Sequence, residues 1–512
     1  MPDWADLKSV DLVSVATLLK LHRASIAFSV VILTIVYFAT RAIYNVWFHP
    51  LSKFPGPRHR AAFKIPYLVG MWGGTHHRIV KDLHDQYGPV VRISPNNLSY
   101  ITAQAWKDIY AHKKSRDLEM IKDPEFYVRN PNAPSIVNGN YEDHARYRRL
   151  YQPGFSARSL REQEPLIQRY VTLFISGLTR ECEKGEVAVD MVQWFNFVTF
   201  DIIGDLAFGE PFGCLEGGET DWLQALNQIE EATMRIRVVQ HAPLVGWYAR
   251  KIVNTFFSND AMRGAAEHLD LTEEKVKRRM ANNSPRPDFM EHILRQPEGK
   301  GFTFGEMLSN SATLIQAGSE TTATLLSGAV FLLCKYPETY KLLMKELTDA
   351  FESEDQLTIE NTTRLPYMDA VLEEALRCYS PAVPGFPRQV PQSGAMIDGQ
   401  WVPGGMSVTV NHYAAYHSTL NFERPEEFLP ERFLDPDAFP NDRRDVLQPF
   451  SMGPRNCIGK QLAYAEGRLI LGRFLLKFEM RLGPKAEGWM DQKGYVTWMR
   501  PPLEMFIKLR EN

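Results

Sequence analysis

"FSMGPRNCIGK", Phe450–Lys460, sets one cysteine, Cys457, between glycines, two residues after an arginine and just before an apolar run. Taken alone, a cysteine is usually a small buried hydrophobe. The neighbours of Cys457 ask for more. Gly453 and Gly459 allow backbone geometry or a close approach that a side chain would block, as a loop folded against a flat cofactor requires. The segment from Ile458 onward reads as helix, so Cys457 would sit at a helix N-terminus, where the dipole and free N–H groups stabilise a thiolate. A thiolate held there suits an iron ligand. Arg455 would lie on the same rim, placed for a carboxylate of that cofactor.

The rest of the chain leaves Cys457 to be explained by itself. The five cysteines, Cys182, Cys214, Cys334, Cys378 and Cys457, are odd in number and widely spaced, with no C-x-x-C pair. That is poor material for a disulfide framework or a zinc site and suits a reducing compartment. With 58 basic and 61 acidic residues, net charge −3, nothing global points to nucleic acid as a partner. At 512 residues and 44% hydrophobic, the chain can bury a large core.

From Ala24 to Thr40 the sequence carries no charge, and "AIYNVWF" after Arg41 continues it. At about 1.5 Å per residue the uncharged run spans roughly 26 Å, near the lower limit for crossing a bilayer. Residues 24–48 therefore read as a membrane anchor after a short N-terminal segment, 1–23. A cleaved signal peptide fits less well, because polar and charged residues precede the run and no small-residue cleavage site follows. A buried core helix is the other alternative. The basic residues flanking the run weakly place the bulk of the chain in the cytosol, and glycosylation at the sequons of Asn97, Asn282 or Asn361 would contradict that. "HPLSKFPGPR", within residues 49–60, reads as a stiff proline-rich linker. Residues 61–512 are expected to form one domain, mainly α with small β-sheets. Helical periodicity covers Leu160–Arg180, Trp222–Val239, Met262–Met280, Phe304–Lys335, Pro337–Ser353, Tyr367–Tyr379 and Gln461–Phe478. Strand-like alternation is confined to short pieces such as "PVVRISPNNLSYI", "GGMSVTVN" and "LEMFIKL".

At Phe450, Gly453, Arg455, Cys457 and Gly459 the opening stretch resembles the haem-binding signature of the cytochrome P-450 family, F-x-x-G-x-R-x-C-x-G. The resemblance implies the cytochrome P-450 fold, haem b as cofactor and Cys457 as the axial thiolate, which pushes electron density onto the iron. It also implies that Phe450 packs beside the sulfur and that Arg455 binds a haem propionate. "AGSETT", Ala317–Thr322, inside the long Phe304–Lys335 stretch, is a poor choice for helix stability. It matches the family's [AG]-G-x-[DE]-T-[ST], which implies that Gly318 opens a groove for oxygen, often with a π-type bulge. Thr321 and Glu320 would then guide protons to the reacting oxygen. Glu374 and Arg377 of "EEALRCYSP", three apart on a helix, would ordinarily be a surface ion pair. In the family they join the arginine of P-E-R-F, here Arg432, in a buried structural network. Where the family has W-x-x-x-R, this chain has His144 and Arg148, which the resemblance makes propionate contacts, as it does Arg388 of "GFPRQV".

The resemblance implies a monooxygenase that takes O₂ and NADPH-derived electrons. No dinucleotide fingerprint or flavin module accompanies the haem domain. The electrons would come from NADPH–cytochrome P-450 reductase of the endoplasmic reticulum, with cytochrome b5 as a further donor, docking near Arg443, Arg444 and Lys460. The anchor, the proline segment and the cysteine context look most like fungal microsomal members that oxidise secondary metabolites. The family's substrate-contacting regions map to Ile136–Asn140, Trp222–Val239, the helix near Ala317, Pro381–Phe386 and Val496–Trp498. They include Ile136, Val137, Val383, Phe386 and Trp498 and no charged clamp, which suits a lipophilic terpenoid or polyketide. A haem-thiolate isomerase or peroxide-using enzyme, and a non-catalytic haem sensor, are the competing readings.

Overall fold

A computed structural model describes residues 12–127, 133–185, 187–217, 234–235, 238–239, 258–282, 285–297 and 299–511. The expected helix Trp222–Val239 lies outside them except for 234–235 and 238–239. Six of the other expected helices appear within a few residues of their anticipated ends: Ala157–Glu183, Ser258–Ala281, Phe304–Lys335, Pro337–Ala350, Pro366–Cys378 and Lys460–Lys477. Three small sheets accompany them among the described residues.

The Phe304–Lys335 helix runs through the core and packs on Met191–Phe208, Pro366–Cys378 and Lys460–Lys477. Its start is set locally. Thr303 Oγ1 accepts from the Glu306 N–H at 3.3 Å and Glu306 Oε2 accepts from the Thr303 N–H at 2.9 Å, a reciprocal capping box. Met191–Phe208 begins at Asp190, whose Oδ1 accepts from the Val192 N–H at 3.0 Å, and ends at Gly209, φ +78°. Where these two helices meet, a Cβ on Gly318 would lie 2.6 Å from Ile203 Cδ1. Gly318 thus permits close helix packing, and the central helix is continuously α: the expected π-type bulge does not occur. A glycine seated against a neighbouring helix needs no bulge to make room.

The five-stranded sheet has the order Val90–Ser94, Asn97–Tyr100, Ser407–Val410, Arg388–Gln389, Ile121–Lys122. Its last pairing sets Lys122 directly across from Arg388. Two lysine and arginine side chains are thereby delivered to one edge of the site. Asn97, in one of the sequons, is buried in this sheet.

The N-terminal helix, Leu12–Ile43, begins earlier than the expected anchor and passes into a π-turn, Tyr44–Phe48. His22–Phe48 is apolar and long enough to cross a membrane, and Phe28, Leu33 and Ile35 along it are exposed. The proline-rich segment after it is no free linker. Leu51 and Phe54 are buried with Val91, Leu98 and Trp106 in a core cluster, and His49 is buried too. Arg92 Nη1 donates to the Asn45 carbonyl at 2.8 Å, and Asn45 Nδ2 donates to the Ala62 carbonyl at 3.0 Å. Prolines stop helix there, but apolar side chains between them still bury.

Candidate active site

The cysteine loop is built by one compulsory glycine. Gly453 has φ +73°, and a Cβ there would lie 2.0 Å from the Tyr110 carbonyl oxygen. No other residue fits. At Gly459 the protein itself imposes no such demand: its φ is −85°, and an added Cβ would meet Cys457 Sγ and Phe155 at 3.9 Å, ordinary contact. The short turn Gly453–Arg455 then lets the Cys457 N–H donate back to the Phe450 carbonyl at 2.8 Å. The Phe450 ring lies 5.2 Å from Tyr464, with Lys460 Nζ 5.6 Å above it.

Cys457 keeps accessible surface although it lies deep among protein atoms, so its sulfur sits in a recess rather than in packed core. Depth in the protein pushes its thiol up; the Gly459 N–H, Arg148 and Lys460 pull the other way. Arg148 grips the loop beside it, donating from Nη2 to Asn456 Oδ1 at 2.6 Å and from Nη1 to the Asn456 carbonyl. The protein alone does not make a free thiolate; a bound metal ion would.

Arg455, Arg148, Arg388, Lys122 and His144 form one cationic cluster. Burial, then Arg455 and Arg388, hold Lys122 well below the ordinary lysine range. Burial, then Arg455, Lys122, Arg148 and Arg388, bring His144 down to about 3, so its imidazole is neutral at neutral pH. Among the described residues the carboxylate paired with this group is Glu119, 3.3 Å from Arg455 Nε. Arg455 Nη1 also donates to the Gly139 carbonyl at 3.3 Å, and Lys122 Nζ to the Ile136 carbonyl at 3.1 Å. Crowded cations with so little counter-charge suit a ligand bearing two carboxylates. The residues present fit haem: a recessed thiol for the iron and a cation cluster for the propionates.

On the central helix, Ala317 and Thr321 lie four apart on a strip that keeps some exposure while most of the helix is buried. Thr321 Oγ1 donates to the Ala317 carbonyl at 2.7 Å. Glu320, half-buried, accepts at Oε1 from Thr497 Oγ1 at 2.7 Å. Beneath this strip Glu466, from the helix that follows Cys457, is buried beside Thr322; burial pushes its carboxyl up to about 8, against a hydrogen bond from Thr322.

Glu374, Arg377 and Arg432 meet, with side chains wholly buried. Arg377 Nε lies 2.8 Å from Glu374 Oε2, and Arg432 Nε 3.0 Å from Glu374 Oε1. The remaining Arg377 donors reach the Tyr416, Pro425 and Glu427 carbonyls at 2.7–2.8 Å. Asp442 completes the set on Arg432 Nη1.

Several expectations are corrected. Val383 and Trp498 are buried in the core, Trp498 stacked 5.2 Å from Tyr379, so they hold the wall and do not line it. Arg444 spends its guanidinium on the Arg432, Pro436 and Phe439 carbonyls, whereas Arg443 and Lys460 are exposed. Lys122, Asp442, Glu466 and Thr497 were not foreseen. Only Glu466 carried a local signal, the one acid in the Lys460–Lys477 helix, flanked by Ala465 and Gly467.

Residues 55–509 match the cytochrome P450 family. The chain is 45% identical to cytochrome P450 monooxygenase astA of Talaromyces wortmannii, over 96% of this chain and 98% of that protein. It is 42% identical to cytochrome P450 monooxygenase astJ of Aspergillus oryzae, over 90% and 93%. With prhB, a cytochrome P450 monooxygenase of Penicillium brasilianum, it shares 39% over 95% and 99%. Similarity that runs almost end to end, through the thiol loop and the strands that carry its cations, places the chain in the cytochrome P450 family as a haem-thiolate monooxygenase.

Proposed function

We propose that this enzyme oxidises a lipophilic secondary metabolite, of terpenoid or polyketide type, at a haem held by Cys457. The observation that carries the reading is the recessed Cys457 thiol, gripped through Asn456 by Arg148 and flanked by cations that have, among the described residues, a single paired carboxylate. Bound haem would supply O₂ binding and two-electron oxidation of a C–H bond or alkene. Cys457 would ligate the iron. Lys122, Arg388 and Arg455 would hold the propionates, with His144 as a neutral donor. Arg148 would act through Asn456, keeping the cysteine loop in place. Thr321 and Glu320 would move protons, Thr321 by turning its hydroxyl from the Ala317 carbonyl and Glu320 as the nearby acid. Phe450 would shield the sulfur, and Gly453 would let the loop approach Tyr110. Glu374, Arg377, Arg432 and Asp442 would brace the segment leading into it.

The apolar helix up to Phe48 supports a single-pass anchor in the endoplasmic reticulum with the catalytic domain, residues 61–512 together with the buried 49–60 segment, in the cytosol. Exposed Arg443 and Lys460 support docking of an acidic surface on an NADPH-dependent flavoprotein reductase, with cytochrome b5 as a second donor. The test is reconstitution with that reductase, NADPH and ¹⁸O₂ against a terpenoid and polyketide library. The expected product carries one ¹⁸O atom, the other appearing in water. Turnover that needs neither reductase nor O₂ would favour the isomerase reading.

A further inference from the structure

We infer that Thr497 is a positioning residue for the carboxylate of Glu320, and that through it the C-terminal hairpin sets how dioxygen is partitioned at this centre. The inference rests on the monooxygenase reading and deepens it. Thr497 Oγ1 donates to Glu320 Oε1 at 2.7 Å across 177 positions of sequence, from a hairpin that is itself fixed at several points. Gly494 and Trp498 pair, the Tyr495 N–H donates to the Thr497 carbonyl at 2.9 Å, and the Gly494 N–H donates to the Gly74 carbonyl at 2.8 Å. The Val383 N–H donates to the Val496 carbonyl at 3.0 Å. Trp498 Nε1 donates to the Ser380 carbonyl at 2.8 Å, and its ring lies nearly parallel to Tyr379, 9° between planes.

The hairpin is therefore a rigid arm from which one hydroxyl reaches the acid next to Thr321. That hydrogen bond selects one rotamer of an otherwise flexible glutamate. Without it the carboxylate would sample several orientations, and proton supply at Thr321 would slow. Two outcomes for dioxygen then compete. Two-electron reduction gives O₂ + NADPH + H⁺ → H₂O₂ + NADP⁺, with the O–O bond kept. Four-electron reduction gives O₂ + 2 NADPH + 2 H⁺ → 2 H₂O + 2 NADP⁺, with the O–O bond broken after further protons arrive. The ratio of NADPH to O₂ consumed reads the partition without any organic substrate.

The experiment uses full-length holoenzyme with its reductase, NADPH and O₂ as the sole oxidant. Thr497→Val should shift the partition toward H₂O₂ by roughly threefold or more, while Thr497→Ser, which keeps the hydroxyl, should restore the wild-type ratio. In a Glu320→Gln background Thr497→Val should add nothing. The ferrous–CO spectrum of each variant reports the thiolate site independently. With that spectrum normal, an unchanged ratio in Thr497→Val, or a further shift on Glu320→Gln, overturns the inference alone. A wild-type protein lacking the thiolate spectrum overturns the underlying reading and the inference with it.

Discussion

Two charge clusters, one wholly buried and one partly buried, follow opposite rules. In the first, Glu374 and Asp442 answer Arg377 and Arg432, and the leftover donors end on backbone carbonyls. Its charges close on themselves. In the second, Lys122, Arg148, Arg388 and Arg455 crowd a neutral His144, and Glu119 is the carboxylate paired with them. Its charges do not close. A set that is satisfied from within holds structure, whereas one whose Lys122 and Arg455 are depressed by burial first and by neighbouring cations second is arranged for an anion from outside.

The comparison predicts different failures. Arg432→Leu should be the most damaging change, because it strands Asp442 without its cation and takes one of two from Glu374, both wholly buried; a loss of about 3–5 kcal/mol, read by urea denaturation or by absence of folded protein, is expected. Gly453→Ala comes next. It forces a side chain into a positive-φ position and against the Tyr110 carbonyl, which should cost about 2–4 kcal/mol and be read the same way.

In the open cluster the sign changes. Lys122→Met should speed haem transfer to an acceptor globin roughly tenfold, the loss of about one charge-assisted contact, while the haem-free protein melts no lower than wild type. If instead the haem-free protein is destabilised as Arg432→Leu is, the two clusters are of one kind.

A pH effect concerns Glu466, which belongs to neither cluster. Its folded value of about 8 is raised above the ordinary glutamate range, so the folded state holds the proton that the unfolded state gives up. That stabilisation is complete below the ordinary range and is lost as pH rises through about 8. Glu466→Gln should flatten the fall in urea midpoint between pH 5 and 8.5 that wild type shows; an unchanged slope would mean that another group titrates there.

Much of this arrangement could be read from one sequence because the cysteine loop and the amphipathic helices are local patterns. Phe304–Lys335 was anticipated to the residue, since its capping box and apolar period lie within the helix itself. Met191–Phe208 was missed for the opposite reason: it is buried on nearly every side, so no polar face marks its period. Residues 49–60 looked like a spacer because prolines were visible and the burial of Leu51 and Phe54 was not. Lys122 and Thr497 matter only because a two-residue strand and a distant hairpin carry them to Arg388 and Glu320. No window of sequence holds such contacts.

The most direct test of the central claim, that Cys457 is the thiolate that the open cluster's cofactor would carry as its ligand, is the ferrous–CO difference spectrum of wild type beside Cys457→Ser. The account predicts the long-wavelength Soret band of a thiolate-ligated haem in wild type and its disappearance in the variant. A folded wild-type protein without haem, or a band that survives Cys457→Ser, would contradict it.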